Sequence, residues 1–138
     1  MTVPQDYMLA QQRFDALLVE LMERLDLTTR HQVYAVLFAV LRVFRRRLDA
    51  DQTLVFAGAL PAIVSAMFVS DWDPGEEPRP FADPSSYDAE IRDVRRDHTL
   101  AQPGAGRIVA ASLRSRCDPA AFEAALSRLP ERARAFWE

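Results

Sequence analysis

The 138-residue sequence contains no lysine, no asparagine and only one cysteine, Cys117. All 17 basic residues are therefore arginine, which we interpret as the coding bias of a GC-rich genome and not as a functional signal. A single cysteine excludes an intrachain disulfide. Because an unpaired cysteine behaves as a small buried hydrophobe, we expect Cys117 to belong to the core and not to act as a nucleophile.

Signals for membrane insertion, export and nucleic-acid binding are also lacking. The first residues do not show the basic-then-apolar pattern of a signal peptide. Apolar runs such as residues 33–41 are far shorter than the ~20 residues of a membrane span. The net charge is −3, whereas a nucleic-acid-binding domain has a basic surface. We therefore predict a cytoplasmic protein with neither a membrane nor a nucleic acid as partner.

No catalytic motif is present: there is no phosphate loop, no dinucleotide-binding glycine pattern and no His-Glu-x-x-His helix. Only His31 and His98 could serve as imidazole bases; His31 lies in the opening turn of a predicted helix, and we expect His98 to cap a helix end at the surface. The acidic loop 71–77 has its glycine at the fifth position, whereas a calcium loop needs it at the sixth. We predict no catalytic residues, no metal and no cofactor, with metal binding by this loop as the weaker alternative.

Helical periodicity is what the sequence does contain. Apolar residues three and four apart predict a helix over residues 5–26. Thr29 followed by Gln32 is a capping box that opens a second helix. That helix is apolar around most of its circumference, which is typical of the buried centre of a domain. It ends in arginines, whose charge suits a helix carboxyl terminus.

Shorter helices are predicted along the rest of the chain. Asp49 with Gln52 is a second cap, and Pro61 is expected as the first residue of a helix. Residues 70–86 are rich in proline and acid and predict a linker or surface loop. Ser85 or Ser86 can cap the helix that follows it. The remaining helices are expected after Pro103-Gly104 and near Pro119 and Pro130.

The two halves of the sequence resemble each other. Leu60-Pro61 corresponds to Leu129-Pro130, and Phe68 corresponds to Trp137 at the same offset. Repeats of this length indicate units that cannot bury their apolar faces alone. We therefore predict a single all-α domain, a helical bundle of about eight helices formed by two tandem pseudo-equivalent units. The first unit covers about residues 5–69, the linker residues 70–86, and the second unit about residues 87–138.

The sequence resembles a bacterial family known as domain of unknown function 2267, from about Phe14 to Trp137. The most specific matching segments are Arg47-Leu-Asp-Ala-Asp, Leu60-Pro61 and Trp72-Asp73-Pro74. The resemblance implies duplicated helical units joined by a loop with a tryptophan. This sequence differs from the family in a shortened second unit. A family of unknown function implies no catalytic residues.

Aromatic side chains are the best candidates for a binding site. Trp72 and Phe81 lie in the otherwise polar linker, where they either attach it to the core or contact a partner. We take a non-enzymatic binding or self-association module, for example a homodimer, as the leading hypothesis. The alternative is a small-molecule binder with an apolar cleft between the two units. Its expected lining residues are Tyr34, Phe44, Phe68 and Trp137.

A cluster of three arginines is a further candidate, in this case for binding phosphate. Arg92, Arg95 and Arg96 lie on one side of a predicted helix. Acidic residues alternate with them, and Glu90 is one of these. We therefore expect a locally balanced, solvated surface and no anion site.

Overall fold

The computed structural model describes residues 4–94 and 102–138, and these residues form eight α-helices and one short 3-10 helix, with no strand. The predicted all-α fold and the predicted number of helices are confirmed. In chain order the helices are α1 (Gln5–Arg24), α2 (Arg30–Arg45), α3 (Ala50–Ala57), α4 (Ala62–Phe68), α5 (Tyr87–Val94), α6 (Ala105–Arg114), α7 (Pro119–Ser127) and α8 (Glu131–Phe136). The 3-10 helix Pro84–Ser86 leads directly into α5.

Both predicted capping boxes are present. The Thr29 hydroxyl accepts a hydrogen bond from the Gln32 backbone N–H at 3.1 Å, and the Gln32 side chain accepts one from the Thr29 N–H at 3.1 Å. Asp49 and Gln52 make the same reciprocal pair at 2.8 and 3.0 Å. Each box satisfies backbone donors that the first turn of a helix leaves unpaired, so α2 and α3 begin where the sequence predicted.

Three helices begin at a proline or directly after one, which corrects the start predicted at Pro61 by one residue. Pro119 is the first residue of α7, whereas Pro61 and Pro130 immediately precede α4 and α8. Pro61 and Pro130 have nearly the same backbone angles, with φ −55° in both and ψ 150° and 148°. Equivalent positions of the two predicted units are thus locally similar, and the tandem arrangement itself stays a prediction.

The second helix, α2, lies at the centre of the domain, as its apolar circumference predicted. Its residues are buried almost without interruption from Val33 to Arg45, and it packs against α1, α4, α5 and α6. No helix in the described parts of the chain is both long enough and apolar enough to cross a bilayer.

An aromatic cluster fills the core where α2 ends. The Phe44 ring lies 4.8 Å from Phe56, 4.9 Å from Phe136 and 5.2 Å from Trp137, measured between ring centroids. These rings come from α2, α3 and the carboxyl-terminal end of the chain, so the cluster joins both halves of the sequence. Its members are Phe44, Phe56, Phe68, Phe122, Phe136 and Trp137.

A partly buried ion-pair network beside this cluster is centred on Glu90 of α5. Arg47 donates two hydrogen bonds to the Glu90 carboxylate, at 2.8 and 2.5 Å. Arg46 and Arg79 reach the same carboxylate at 3.4 and 3.2 Å. The expectation that Glu90 balances arginines of its own helix was wrong, because its carboxylate pairs with arginines that follow α2 and with one from the linker. It links the end of α2 and the linker to α5.

The arginines determine the ionisation of Glu90. Burial raises the pKa of the Glu90 carboxyl, but the hydrogen bond and charge of Arg47, with the charges of Arg46 and Arg79, outweigh it. The pKa of Glu90 is therefore below its ordinary value. The carboxylate is ionised at neutral pH and holds the three guanidinium groups together.

Candidate binding groove

The apolar stripe of α1 extends beyond the core at its amino-terminal end. Tyr7 and Leu21 are two heptads apart and so lie on the same side of the helix. Leu21 is fully buried, whereas Tyr7 is 69% exposed. Met8 and Leu9 are also exposed, at 50% and 36%. We call residues 5–12 the α1 overhang, since only Ala10 among them is even half-buried.

A groove with a volume of about 750 Å³ runs along the side of this overhang. One wall is α1, and the others are the α3–α4 connection around Pro61 and the α6–α7 connection around Cys117. Its buried lining residues are apolar: Leu17, Leu60, Val64 and Cys117. Its exposed lining residues include charges of both signs: Asp6, Arg13, Arg116 and Asp118. An apolar interior with a charged rim is the composition of a binding surface.

Side-chain contacts hold the walls of the groove in place. Arg116 reaches from the α6–α7 connection to the Ala16 carbonyl and the Glu20 carboxylate of α1, at 3.4 Å each. Farther along α1, the Arg24 guanidinium donates to the Ser112 hydroxyl of α6. On the opposite wall, the Ser65 hydroxyl of α4 donates to the Ala57 carbonyl at the end of α3, at 2.8 Å. The groove therefore lies between anchored helices.

Cys117 belongs to the core, as the sequence predicted. Its thiol is buried and donates to the Leu113 carbonyl at 3.4 Å. Burial raises the pKa of Cys117 to about 11. Because only the thiolate is a nucleophile, this side chain is unreactive at neutral pH.

Cys117 provides a direct test of this packing. We expect an aromatic disulfide reagent to label the native protein at pH 7 at least about 100-fold more slowly than the protein unfolded in guanidinium, because the native thiol is both protonated and shielded. Absorbance of the released thiolate measures both rates. Complete labelling of the native protein within seconds would show that Cys117 is open to the groove.

The residues predicted for an apolar cleft lie elsewhere. Phe44, Phe68 and Trp137 are buried in the aromatic cluster, where rings fill the space that the cleft would occupy. Tyr34 is half-buried and stacks on Phe38 with 6.5 Å between ring centroids. None of these four residues borders the groove.

The two linker aromatics also lie away from the groove. Phe81 is half-buried, with its ring 6.4 Å from Phe44 and its carbonyl accepting a hydrogen bond from Arg132 at 3.0 Å. It therefore attaches the linker to both halves of the chain, as the structural alternative for Phe81 predicted. Trp72 is half-buried near the start of the linker, where the Ser70 carbonyl accepts a hydrogen bond from Arg45 at 2.8 Å.

Candidate catalytic and metal-binding groups are dispersed. His31 is exposed in the first turn of α2, and Arg92 is exposed on α5. His98, Arg95 and Arg96 lie outside the described residues. Within residues 4–94 and 102–138, no group of three or more His, Cys, Asp or Glu side chains is placed to hold a metal ion. Reasoning from sequence missed the groove, although the apolar residues ahead of Phe14 were a signal for it.

Comparison with known proteins provides a family. The sequence matches no curated protein. A family model with the description "Uncharacterized conserved protein (DUF2267)" matches residues 14–136, which is nearly the whole chain. The match includes the groove residues from Phe14 onward and the whole Glu90 network, and it begins after the exposed residues of the α1 overhang. The chain belongs to the DUF2267 family.

Proposed function

We propose that this protein is a non-enzymatic binding module and that the groove along α1 is where it binds another protein chain. The observation that carries the proposal is the exposure of the apolar side chains Tyr7, Met8 and Leu9 on the α1 overhang, of which Leu9 borders the groove. Exposed apolar side chains that adjoin an apolar groove mark interaction sites on soluble proteins. The partner is either a second copy of this chain or a different protein.

The geometry supports a helix or an extended segment as the occupant. The groove is bordered by α1 over about three helical turns, from Asp6 to Leu17. Helical partners bind such grooves through apolar residues three or four positions apart. The charged residues at the rim then orient the partner more than they add affinity.

The test compares full-length protein with two matched variants. Leu9→Asp places a charge in the groove, whereas Leu54→Asp places one on an exposed leucine of α3 outside it. A true partner, including a differently tagged copy of this chain, is expected to bind the wild type and Leu54→Asp equally. Leu9→Asp should weaken that binding at least about tenfold, measured by calorimetry with purified partner.

Both variants change exposed residues, so we expect the free energy of unfolding to change by less than about 1 kcal/mol in each. Circular dichroism during heating checks this. A partner that binds Leu9→Asp as tightly as the wild type would show that the groove is not its binding site.

A small molecule is the second candidate, because the groove volume of about 750 Å³ lies within the range of ligand pockets. A ligand that binds only the folded state raises the melting temperature, and the rise continues to grow with the logarithm of its concentration above the Kd. A thermal-shift screen on the wild type, repeated on Leu9→Asp, tests this candidate. A stabilising compound whose effect disappears in Leu9→Asp would favour it over a protein partner.

A further inference from the structure

We propose that the groove binds the α1 overhang of a second copy of this chain, in an antiparallel two-fold arrangement. This inference rests on the proposed binding function and identifies the partner. It is carried by the order of charges on the side of α1 that borders the groove, where Asp6, Leu9, Ala10 and Arg13 follow one another.

The spacing of these residues makes the helix complementary to itself. Asp6 and Arg13 are seven residues apart, so they lie on one side of α1 about 10.5 Å apart along its axis. When two copies of this helix pack antiparallel about a point midway between Leu9 and Ala10, Asp6 of each copy faces Arg13 of the other. The same register places Leu9 opposite Ala10, whose small side chain allows close approach.

Both charges are available for such a pairing. Asp6 and Arg13 are exposed, and neither takes part in an ion pair or hydrogen bond within the described residues. A two-fold interface uses the same patch on both copies, so a single pattern forms two ion pairs at once. A parallel arrangement would instead place like charges opposite each other, which disfavours it.

The apolar part of the interface follows from the same placement. A second helix lying along this side of α1 would cover Leu9 in both copies and reach the apolar residues of the groove, such as Leu60 and Pro61. A contact restricted to the overhang and the groove rim is smaller than a standard protein interface. We therefore expect a reversible dimer whose dissociation depends on concentration.

A charge-swap experiment tests the register. Sedimentation equilibrium is measured on the full chain from about 1 μM to about 1 mM, the range in which weak dimers dissociate. The wild type is expected to dimerise. The dissociation constant of the dimer should be at least about tenfold higher for Asp6→Arg and for Arg13→Asp than for the wild type, because each substitution turns two attractive pairs into repulsive ones.

Mixing provides the decisive comparison. An equimolar mixture of the Asp6→Arg and Arg13→Asp chains restores opposite charges at both pairs, so it should form a heterodimer with an affinity within about threefold of the wild type. Fraying of the overhang in either variant could not produce such a rescue. Asp51→Arg, the same change at an exposed aspartate of α3, is the control and should leave the dimer unchanged.

Three results would overturn this inference: a wild type that is monomeric over the whole range, a dimer insensitive to either charge reversal, or variants that do not associate when mixed. A monomeric wild type would leave the proposed binding function standing. That function depends on the separate comparison of Leu9→Asp with Leu54→Asp against a different partner.

Discussion

Replacing Glu90 with alanine is expected to lower the free energy of unfolding by about 3 to 5 kcal/mol. Arg47 is buried and directs two hydrogen bonds at this carboxylate, so the substitution leaves a buried guanidinium without its counter-charge. Arg46 and Arg79 would then repel Arg47 across the vacated site. Chemical denaturation followed by circular dichroism measures the loss.

Glu123 is the matched control for this substitution. It pairs with Arg134 at 2.7 Å and with Arg114 at 3.7 Å, but its side chain is 52% exposed. Ion pairs in water contribute little, so Glu123→Ala should cost less than about 1 kcal/mol. Equal losses in the two variants would mean that the Glu90 network stabilises no more than a surface pair.

The same network makes the free energy of unfolding decrease as the pH falls into the acid range. The folded-state pKa of Glu90 lies below its ordinary value of 4.5, which approximates the unfolded state. Its stabilising contribution is therefore complete above that value and is lost as the pH falls from there through the folded-state pKa. In Glu90→Gln this part of the acid destabilisation should disappear, which denaturation curves between about pH 7 and pH 3 would show.

Trp137→Ala is expected to destabilise the fold by a similar amount, about 3 to 5 kcal/mol. The indole is 2% exposed and lies 5.2 Å from both Phe44 and Phe56 and 5.6 Å from Phe122. Its removal leaves a cavity bordered by rigid rings, which cannot collapse to fill it. Urea unfolding at equilibrium measures the change.

Trp72 provides the comparison, since it is the only other tryptophan in the sequence. It is half-buried within the linker and lies outside the aromatic cluster, so we expect Trp72→Ala to cost less than about 1 kcal/mol. The fluorescence of the Trp72→Ala protein then reports Trp137 alone and should have the blue-shifted maximum of a buried indole. A red-shifted maximum would contradict the burial of Trp137.

Local sequence signals predicted the helices well because helix boundaries depend on neighbouring residues. The capping pairs Thr29–Gln32 and Asp49–Gln52 act within one turn, and prolines restrict the backbone next to them. The apolar circumference of α2 was sufficient to place it at the centre. The start predicted for α4 at Pro61 was one residue too early, since a proline suits both the first helical residue and the residue before it.

Side-chain partners between helices could not be predicted in the same way. Glu90 has arginines nearby in sequence, and these suggested a local balance. Its actual partners, Arg47 and Arg79, are 43 and 11 residues away. The apolar cleft had the opposite problem: Phe44, Phe68 and Trp137 do lie close together, but they pack into the aromatic cluster and fill the space, whereas Tyr34 stacks on Phe38.

Local sequence patterns were enough to predict that this protein is all-α, where most of its helices begin to within a residue, that α2 is central and that Cys117 is buried. These properties follow from contacts within a few residues and from the period of the apolar pattern. The packing of the helices was needed to show which charges are paired, that the aromatic residues close the core, and that the amino-terminal end of α1 is exposed. Those outcomes depend on how helices of different length fit together: α1 is 20 residues long, and its first turns carry the exposed side chains Tyr7, Met8 and Leu9.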